Sequence, residues 1–317
     1  MIDVSIVIVC MNNLKNLYPC LESIKKHTTV SYECFVVAYL FTRENLEKAK
    51  ADFPWVKFIE SNEIRGFSEN NNLALRQAQG KFCFVVNDDT EMKMPVVDRL
   101  VESFEKCPEK TAIVSPVTTY PDGKVQVCGM PPIKWYNALL ELLHLWDRNK
   151  QYDYVNKKGL FKTYNIIGAA FLIKTDVFKN IGWFDEKYFF CPEDIALSTK
   201  LNENGYECWV NADVHIVHFE GMSSKSLSLV QTATKPAARR GSVMFFSKGN
   251  LLAEIALISL YTSVTVLLFM KHWVRGRLKQ TPNKYSVLAQ GELNIIKSSF
   301  TRNSPKKIFI KYYTKIK

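Results

Sequence analysis

The sequence predicts an α/β protein with a mostly parallel sheet flanked by helices, and three observations carry that reading. Short apolar runs alternate with stretches of helical periodicity. The runs are apolar at successive positions, as in strands covered on both faces. Polar clusters follow several of them, where an open parallel sheet gathers its ligands.

The elements follow in order. "VSIVIVC" (4–10) reads as a strand, and "LKNLYPCLESIKKH" (14–27) as a helix, because Leu14, Leu17, Leu21 and Ile24 recur at helical spacing. "YECFVVAYLF" is a second strand, "ENLEKAKADF" a helix and "VKFIES" a third strand. "FSENNNLALRQAQ" is expected to form a helix ending before Gly80, with Ser68 as its cap, and "KFCFVVN" the next strand. The section 112–158 is less regular, with a "PDG" turn and a Leu-rich, aromatic stretch, "WYNALLELLHLW", of helical character.

Charge divides the chain. Residues 221–317 hold 17 lysines and arginines against Glu254 and Glu292, a net of +15. Since the whole chain carries +11, residues 1–220 carry −4. A near-neutral body with a basic tail points to an anionic partner surface, a membrane or a nucleic acid. Within the tail, residues 251–270 contain one charge, Glu254, and are about as long as a bilayer-crossing helix. Arg239, Arg240 and Lys248 precede that stretch; Lys271, Arg275, Arg277 and Lys279 follow it. Ser259, Thr262 and Ser263 are expected on one side of it. Three readings stay open here: a span, an interfacial helix, or a helix packed in a dimer or bundle. The eight cysteines form no C-x-x-C pair, which favours a reducing compartment. The N-terminal run reads as a strand, not a signal peptide.

Chemistry is concentrated at "VVNDDTEM" (85–92), where an apolar strand ends in Asn87-Asp88-Asp89. A polar turn is the plain reading. A divalent-cation site on hard oxygen ligands is the alternative. Further on, Glu193-Asp194 opens a helix, where first-turn carboxylates also suit the helix dipole.

Four blocks in order, "VSIVIVCMNN", "RGFSENNN", "VVNDDTEM" and the long block from "GAAFLI" through "FDEKYFFCPEDIALSTKLNENGYECW" to "HFEGMSS", resemble the family 2 glycosyltransferases of GT-A fold. The resemblance covers residues 1 to about 224 and is nearest to enzymes of bacterial surface-polysaccharide synthesis (O-antigen or capsule, rhamnosyltransferase-like). It implies a GT-A domain at 1–224 and leaves 225–317 as a basic, helical, membrane-associating region. The implied activity is inverting, metal-dependent transfer of a hexosyl or deoxyhexosyl group from a nucleotide sugar to a glycan or lipid-linked acceptor. Mg2+ or Mn2+ is the implied cofactor. The implied location is cytoplasmic, at the inner face of the cell membrane, peripheral or single-span, through basic residues of 239–279.

By this resemblance Asp89 and His218 hold the metal; His215, three residues earlier in the predicted strand, is expected to pack. Asp194 is the base, with Glu193 its neighbour. Asn12, Tyr39, Arg65, Gly66, Asn71, Asn87, Asp88, Gly168 and Ala169 contact the donor, and Asn72 completes the family's Asn pair. The pattern is broken in two places. Ala38-Tyr39 stands where the family carries a base-reading Asp, and Ala196 stands two positions after Asp194 in place of another Asp. Two rival readings differ in class. A nucleotidyltransferase needs a Gly-rich basic loop after the first strand, which "CMNNLKN" is not, and a nucleic-acid binder leaves the apolar helix unexplained.

Overall fold

The computed structural model describes residues 2–126, 128–143, 145, 154, 156–219, 229–278 and 284–316. Its chain divides into two compact units: 1–132 with 148–185 and 193–220, and 133–147 with 186–192 and 221–317.

The first unit is built on one nine-stranded sheet. Its strands are β1 (Val4–Met11), β2 (Tyr32–Tyr39), β3 (Val56–Ser61), β4 (Phe82–Asn87), β5 (Thr90–Met92), β6 (Thr111–Thr119), β7 (Leu160–Thr163), β8 (Ala170–Lys174) and β9 (Glu207–His218). The order is β3-β2-β1-β4-β8-β6-β9-β5, with β7 also on β9. Strands β3, β2, β1 and β4 are mutually parallel, and β6 runs parallel to β9; β8, β5 and β7 run antiparallel to their partners.

Successive apolar residues work here because both faces are covered. Ile6 and Ile8 pack with Leu17, Leu21 and Ile24 of α1 (Leu14–His27), while Val7 packs with Ala74 and Leu75 of α3 (Phe67–Leu75) on the other face. Each such aliphatic side chain contributes about 1.5–3 kcal/mol through burial. Helices α2 (Arg43–Asp52), α4 (Val96–Lys106), α6 (Thr175–Asn180) and α7 (Glu193–Glu203) complete the unit.

Two local expectations are corrected. Helix α3 is capped two residues earlier, at Gly66, where Glu69 Oε2 reaches back to accept the Gly66 N–H at 3.0 Å, and it ends at Leu75, short of the expected Gln79. Ser68 is buried inside the helix and its Oγ has no hydrogen-bond partner among the described residues. His215 is exposed: β9 alternates, with Val214 and Ile216 inward and His215 on the opposite face.

The second unit is helical: α5 (Trp135–Leu142), α8 (Gln231–Ser247), α9 (Leu251–Arg277), α10 (Lys284–Ser299) and α11 (Pro305–Tyr313). Part of the expected helix 135–146 lies outside the described residues, as does Lys279. Helix α9 continues past residue 270 to Arg277, so it is roughly 40 Å long at 1.5 Å per residue. Its apolar window has a mean hydropathy of 2.0 and only 22% of it is buried. Leu252, Ile255, Leu267 and Met270 are exposed. The expected polar stripe is split, since Thr262 is buried while Ser259 and Ser263 face outward. Glu254 pairs with Arg240 at 2.6 Å, so the helix's single charged residue before Lys271 is matched from α8. Arg239 lies over the Tyr261 ring. Neither arginine is exposed, which leaves Lys248, Lys271, Arg275 and Arg277 as the exposed flanking cations among the described residues.

Candidate active site

The question raised by the acidic strand end is answered by what lies beside it. β4 is buried through Val86, and its last residue, Asn87, donates its N–H to the Ala169 carbonyl at 2.9 Å. The chain turns through Asp88 and Asp89 into the three-residue strand β5, which pairs with the end of β9 so that Thr90 lies opposite His218. Phe219 N–H donates to the Asp89 carbonyl at 2.9 Å. This short ladder sets Asp89 Oδ1 3.3 Å from His218 Nε2, with each side chain only 12% exposed.

Gln126, which the sequence reading did not single out, fixes the histidine. Its Nε2 donates to the His218 carbonyl at 2.9 Å, and its Oε1 lies 2.9 Å from His218 Nδ1. A carbonyl only accepts, so the amide has one orientation; Oε1 then faces Nδ1, which must carry a proton. In neutral imidazole this leaves the Nε2 lone pair facing the Asp89 carboxylate. Two acceptors at 3.3 Å repel unless a cation lies between them or Nε2 is protonated. An oxygen–nitrogen pair of this kind fits a cation that takes its remaining ligands from water and substrate phosphate. Among the described residues no cluster of three or more His, Cys, Asp or Glu side chains offers a metal site. Gln126 reaches this position because the "PDG" turn folds the chain back on β6, with Gln126 N–H donating to Thr118 O at 2.8 Å. That turn was the available signal.

Asp88 lies against the Cys10 thiol. Burial, reinforced by the neighbouring Asp89, pushes its carboxyl up to about 6, and burial pushes the Cys10 thiol up as well.

Asp194 sits in the first turn of α7. Its Oδ2 accepts the Gly168 N–H at 3.3 Å and its Oδ1 the Ile195 N–H at 2.7 Å. A Cβ at Gly168 would stand 3.4 Å from Asp194 Cβ, an ordinary contact, so larger side chains and not the Cβ itself would crowd the carboxylate. The Gly168–Ala169 turn thus bonds on one side to Asp194 and on the other to Asn87, joining the acidic strand end to the helix-start carboxylate. Glu193 shares that first turn.

The other expected donor contacts form a second group. Tyr39 is 6% exposed at the end of β2, and its hydroxyl accepts the Arg65 N–H at 3.3 Å. Arg65 donates to Ser61 Oγ at 3.1 Å and pairs with Glu63 at 2.9 Å. Asn12, at the end of β1, accepts from Thr42 N–H and Asn45 Nδ2 at 3.1 and 2.9 Å. Asn71 is buried and bonds within α3, while Asn72 exchanges two hydrogen bonds with the Phe184 backbone. These asparagines tie α3 in place.

Fold and site together define an α/β protein with candidate carboxylates at strand and helix ends. Residues 5–182, more than half of the chain, match the family described as glycosyl transferase family 2, and the chain belongs to that family. It is 26% identical over 157 residues to an O-antigen biosynthesis protein of Myxococcus xanthus, covering 49% of this chain and 12% of that protein. It is 24% identical over 146 residues to an N-acetylglucosaminyl-diphospho-decaprenol L-rhamnosyltransferase of Mycobacterium tuberculosis, covering 44% of this chain and 47% of that one. The chain therefore spans less than half the length of either relative. Two glycosyltransferase structures share its fold. A mannosyltransferase from Pyrobaculum calidifontis, solved with GDP-Man and Mn2+, has a TM-score of 0.53 at 16% identity, covering 99% of this chain and 86% of that one. GalNAc-T7, solved with UDP, GalNAc and Mn2+, has a TM-score of 0.54 at 18% identity, covering 69% and 44%.

Proposed function

We propose that this chain is an inverting, metal-dependent glycosyltransferase that moves a hexosyl or deoxyhexosyl group from a nucleotide sugar to a hydroxyl of a lipid-linked glycan, at the inner face of the cell membrane, in surface-polysaccharide synthesis. The observation that carries this reading is the Asp89–His218 pair linked through the Gly168–Ala169 turn to Asp194.

Mg2+ or Mn2+ held by Asp89 and His218 would neutralise charge on the departing diphosphate. Asp194 takes the proton of the acceptor hydroxyl as that oxygen attacks the anomeric carbon and the bond to the diphosphate breaks. The Gly168 and Ile195 backbone N–H groups hold its carboxylate in place. Attack in one step, with no enzyme nucleophile, inverts the anomeric centre. Asn87 and Asp88 would contact the donor, and Gly168 and Ala169 would permit its close approach. Asn12, Tyr39, Arg65 and Gly66 shape the strand-end rim, and Asn71 supports it from within α3. The lipid-linked acceptor is supported by the diphospho-decaprenol named for the mycobacterial relative and by the exposed apolar helix α9.

The decisive test is NMR assignment of the anomeric configuration of donor and product, with and without chelator. An inverted product that disappears in excess chelator is expected; a retained configuration would overturn the mechanism, and full activity in chelator would overturn the metal.

A further inference from the structure

The helical unit contains a cavity of about 540 Å³ between α5, α8, α9 and α10. That volume lies within the roughly 300–1,000 Å³ of small-molecule sites. Its wall is mostly apolar, and Leu142, Leu268 and Leu288 each come from a different helix.

Into this wall the sequence sets charges that a structural core would avoid. Lys235 and Arg239 stand four residues apart on α8, on one face, where like charges repel. The Arg239 guanidinium rests over the Tyr261 ring at 4.7 Å, and its Nε has no hydrogen-bond partner among the described residues. The stem of Lys235 runs across Gly291 of α10, where an added Cβ would meet Lys235 Cδ at 3.2 Å. A glycine in mid-helix costs stability, and here it makes room for a lysine. Burial holds the Lys235 ammonium below its ordinary value; Glu292 favours its charge and Arg239 opposes it.

The acids facing the cavity are Glu141 and Glu292. Glu292 is already joined to His272 at 2.8 Å. An apolar wall with two cations on one side suits a ligand with a phosphate head and a hydrocarbon chain. A free phosphate would leave the wall uncovered, and an isoprenoid alcohol would leave Arg239 with the Tyr261 ring and no anion from the ligand.

We infer that this cavity binds the phosphate and first isoprenoid units of the carrier lipid on which the acceptor glycan is built. The assignment rests on the lipid-linked acceptor proposed above. It adds a recognition site, in the helical unit, for the part of the acceptor that does not react.

The test uses full-length protein in detergent with farnesyl phosphate as probe, farnesol and inorganic phosphate as controls, and phosphatidylglycerol micelles as the competing amphiphile. Farnesyl phosphate should bind at least ten-fold more tightly than either control and than phosphatidylglycerol. It should also shield Lys235 of the unaltered protein several-fold from acetylation, read by mass spectrometry. The Lys235→Gln, Arg239→Gln double variant should lose ten-fold or more in farnesyl phosphate affinity while binding nucleoside diphosphate with Mn2+ as before. Equal binding of farnesol, equal shielding by phosphatidylglycerol, or no shielding at all would overturn the assignment. Failure to bind nucleoside diphosphate and Mn2+ would count against the transferase reading instead. Nucleotide binding without lipid shielding would sink this inference alone.

Discussion

Gln126 holds His218 at two points, donating to its carbonyl and accepting from its Nδ1, both at 2.9 Å. The contact selects the tautomer whose free nitrogen meets Asp89. Gln126→Leu should keep the fold but weaken Mn2+ binding, in the presence of nucleoside diphosphate, by about 10–100-fold, the usual effect of losing a partner that orients a ligand. Titration by isothermal calorimetry measures this. An unchanged Mn2+ affinity would remove Gln126 and the tautomer argument together.

Asp194→Asn should lower the turnover rate by about two to four orders of magnitude, the ordinary range for a general base, with donor affinity within two-fold. The asparagine keeps the shape and can still accept the Gly168 N–H. A mild loss, with Glu193→Gln proving the severe change, would transfer the role to the neighbour.

Gly168→Val should act on the same carboxylate from the other side. A Cβ alone would stand in ordinary contact, 3.4 Å from Asp194 Cβ, and the two further methyls of valine add bulk beside that side chain. Turnover should fall at least ten-fold while thermal stability changes by only a few degrees. Gly168→Ala should be much milder, and the two variants compared by steady-state kinetics separate crowding of Asp194 from a general packing defect.

Asp88 gives the fold a pH dependence. Burial raises its folded pKa from the ordinary 3.8 to about 6. Between those values the unfolded chain has lost the proton that the folded one keeps, so stability falls as pH rises through this window. The loss is at most about 3 kcal/mol, complete above pH 6. Asp88→Asn should therefore stabilise the metal-free protein at pH 7.5 and flatten the melting-temperature profile between pH 4 and 6. A steeper profile in the variant would contradict the buried-carboxyl account.

Lys271, Arg275 and Arg277 are exposed at the end of the apolar helix. At about 1 kcal/mol per basic residue near an anionic bilayer, changing all three to Gln should weaken sedimentation with phosphatidylglycerol vesicles by roughly 100-fold if α9 lies in the interface. If it spans, the loss is small and the protein stays with the membrane in high salt. A full-length protein that remains in the supernatant as a stable oligomer would overturn membrane attachment.

Much of the first unit was legible because periodicity reports burial. "VKFIES" and "LKNLYPCLESIKKH" fold over the residues their patterns indicated. What escaped was set by partners distant in sequence. β6, "TAIVSPVTT", is buried along its whole length despite its Ser, Thr and Pro, because β8 and β9 lie against it. β5 has three residues, too few for any period, yet it brings Asp89 to His218. Gln126 carries no motif; only the fold-back at the "PDG" turn gives it a role. His215 and His218 look alike in "HIVHFEG", and the two-residue alternation of β9, invisible without its burial, puts them on different footings.

The hydrogen bond from Phe219 N–H to the Asp89 carbonyl makes the site report on itself. A backbone proton held in this way exchanges with solvent only when the β5–β9 ribbon opens. Its exchange rate is thus a clock for the assembly of the carboxylate and the imidazole, readable with no sugar, nucleotide or lipid in the tube. A ligand that draws Asp89 and His218 together should slow that one amide far more than its neighbours at the opposite edge of the sheet. Occupancy of the centre would then be counted in minutes of deuterium uptake.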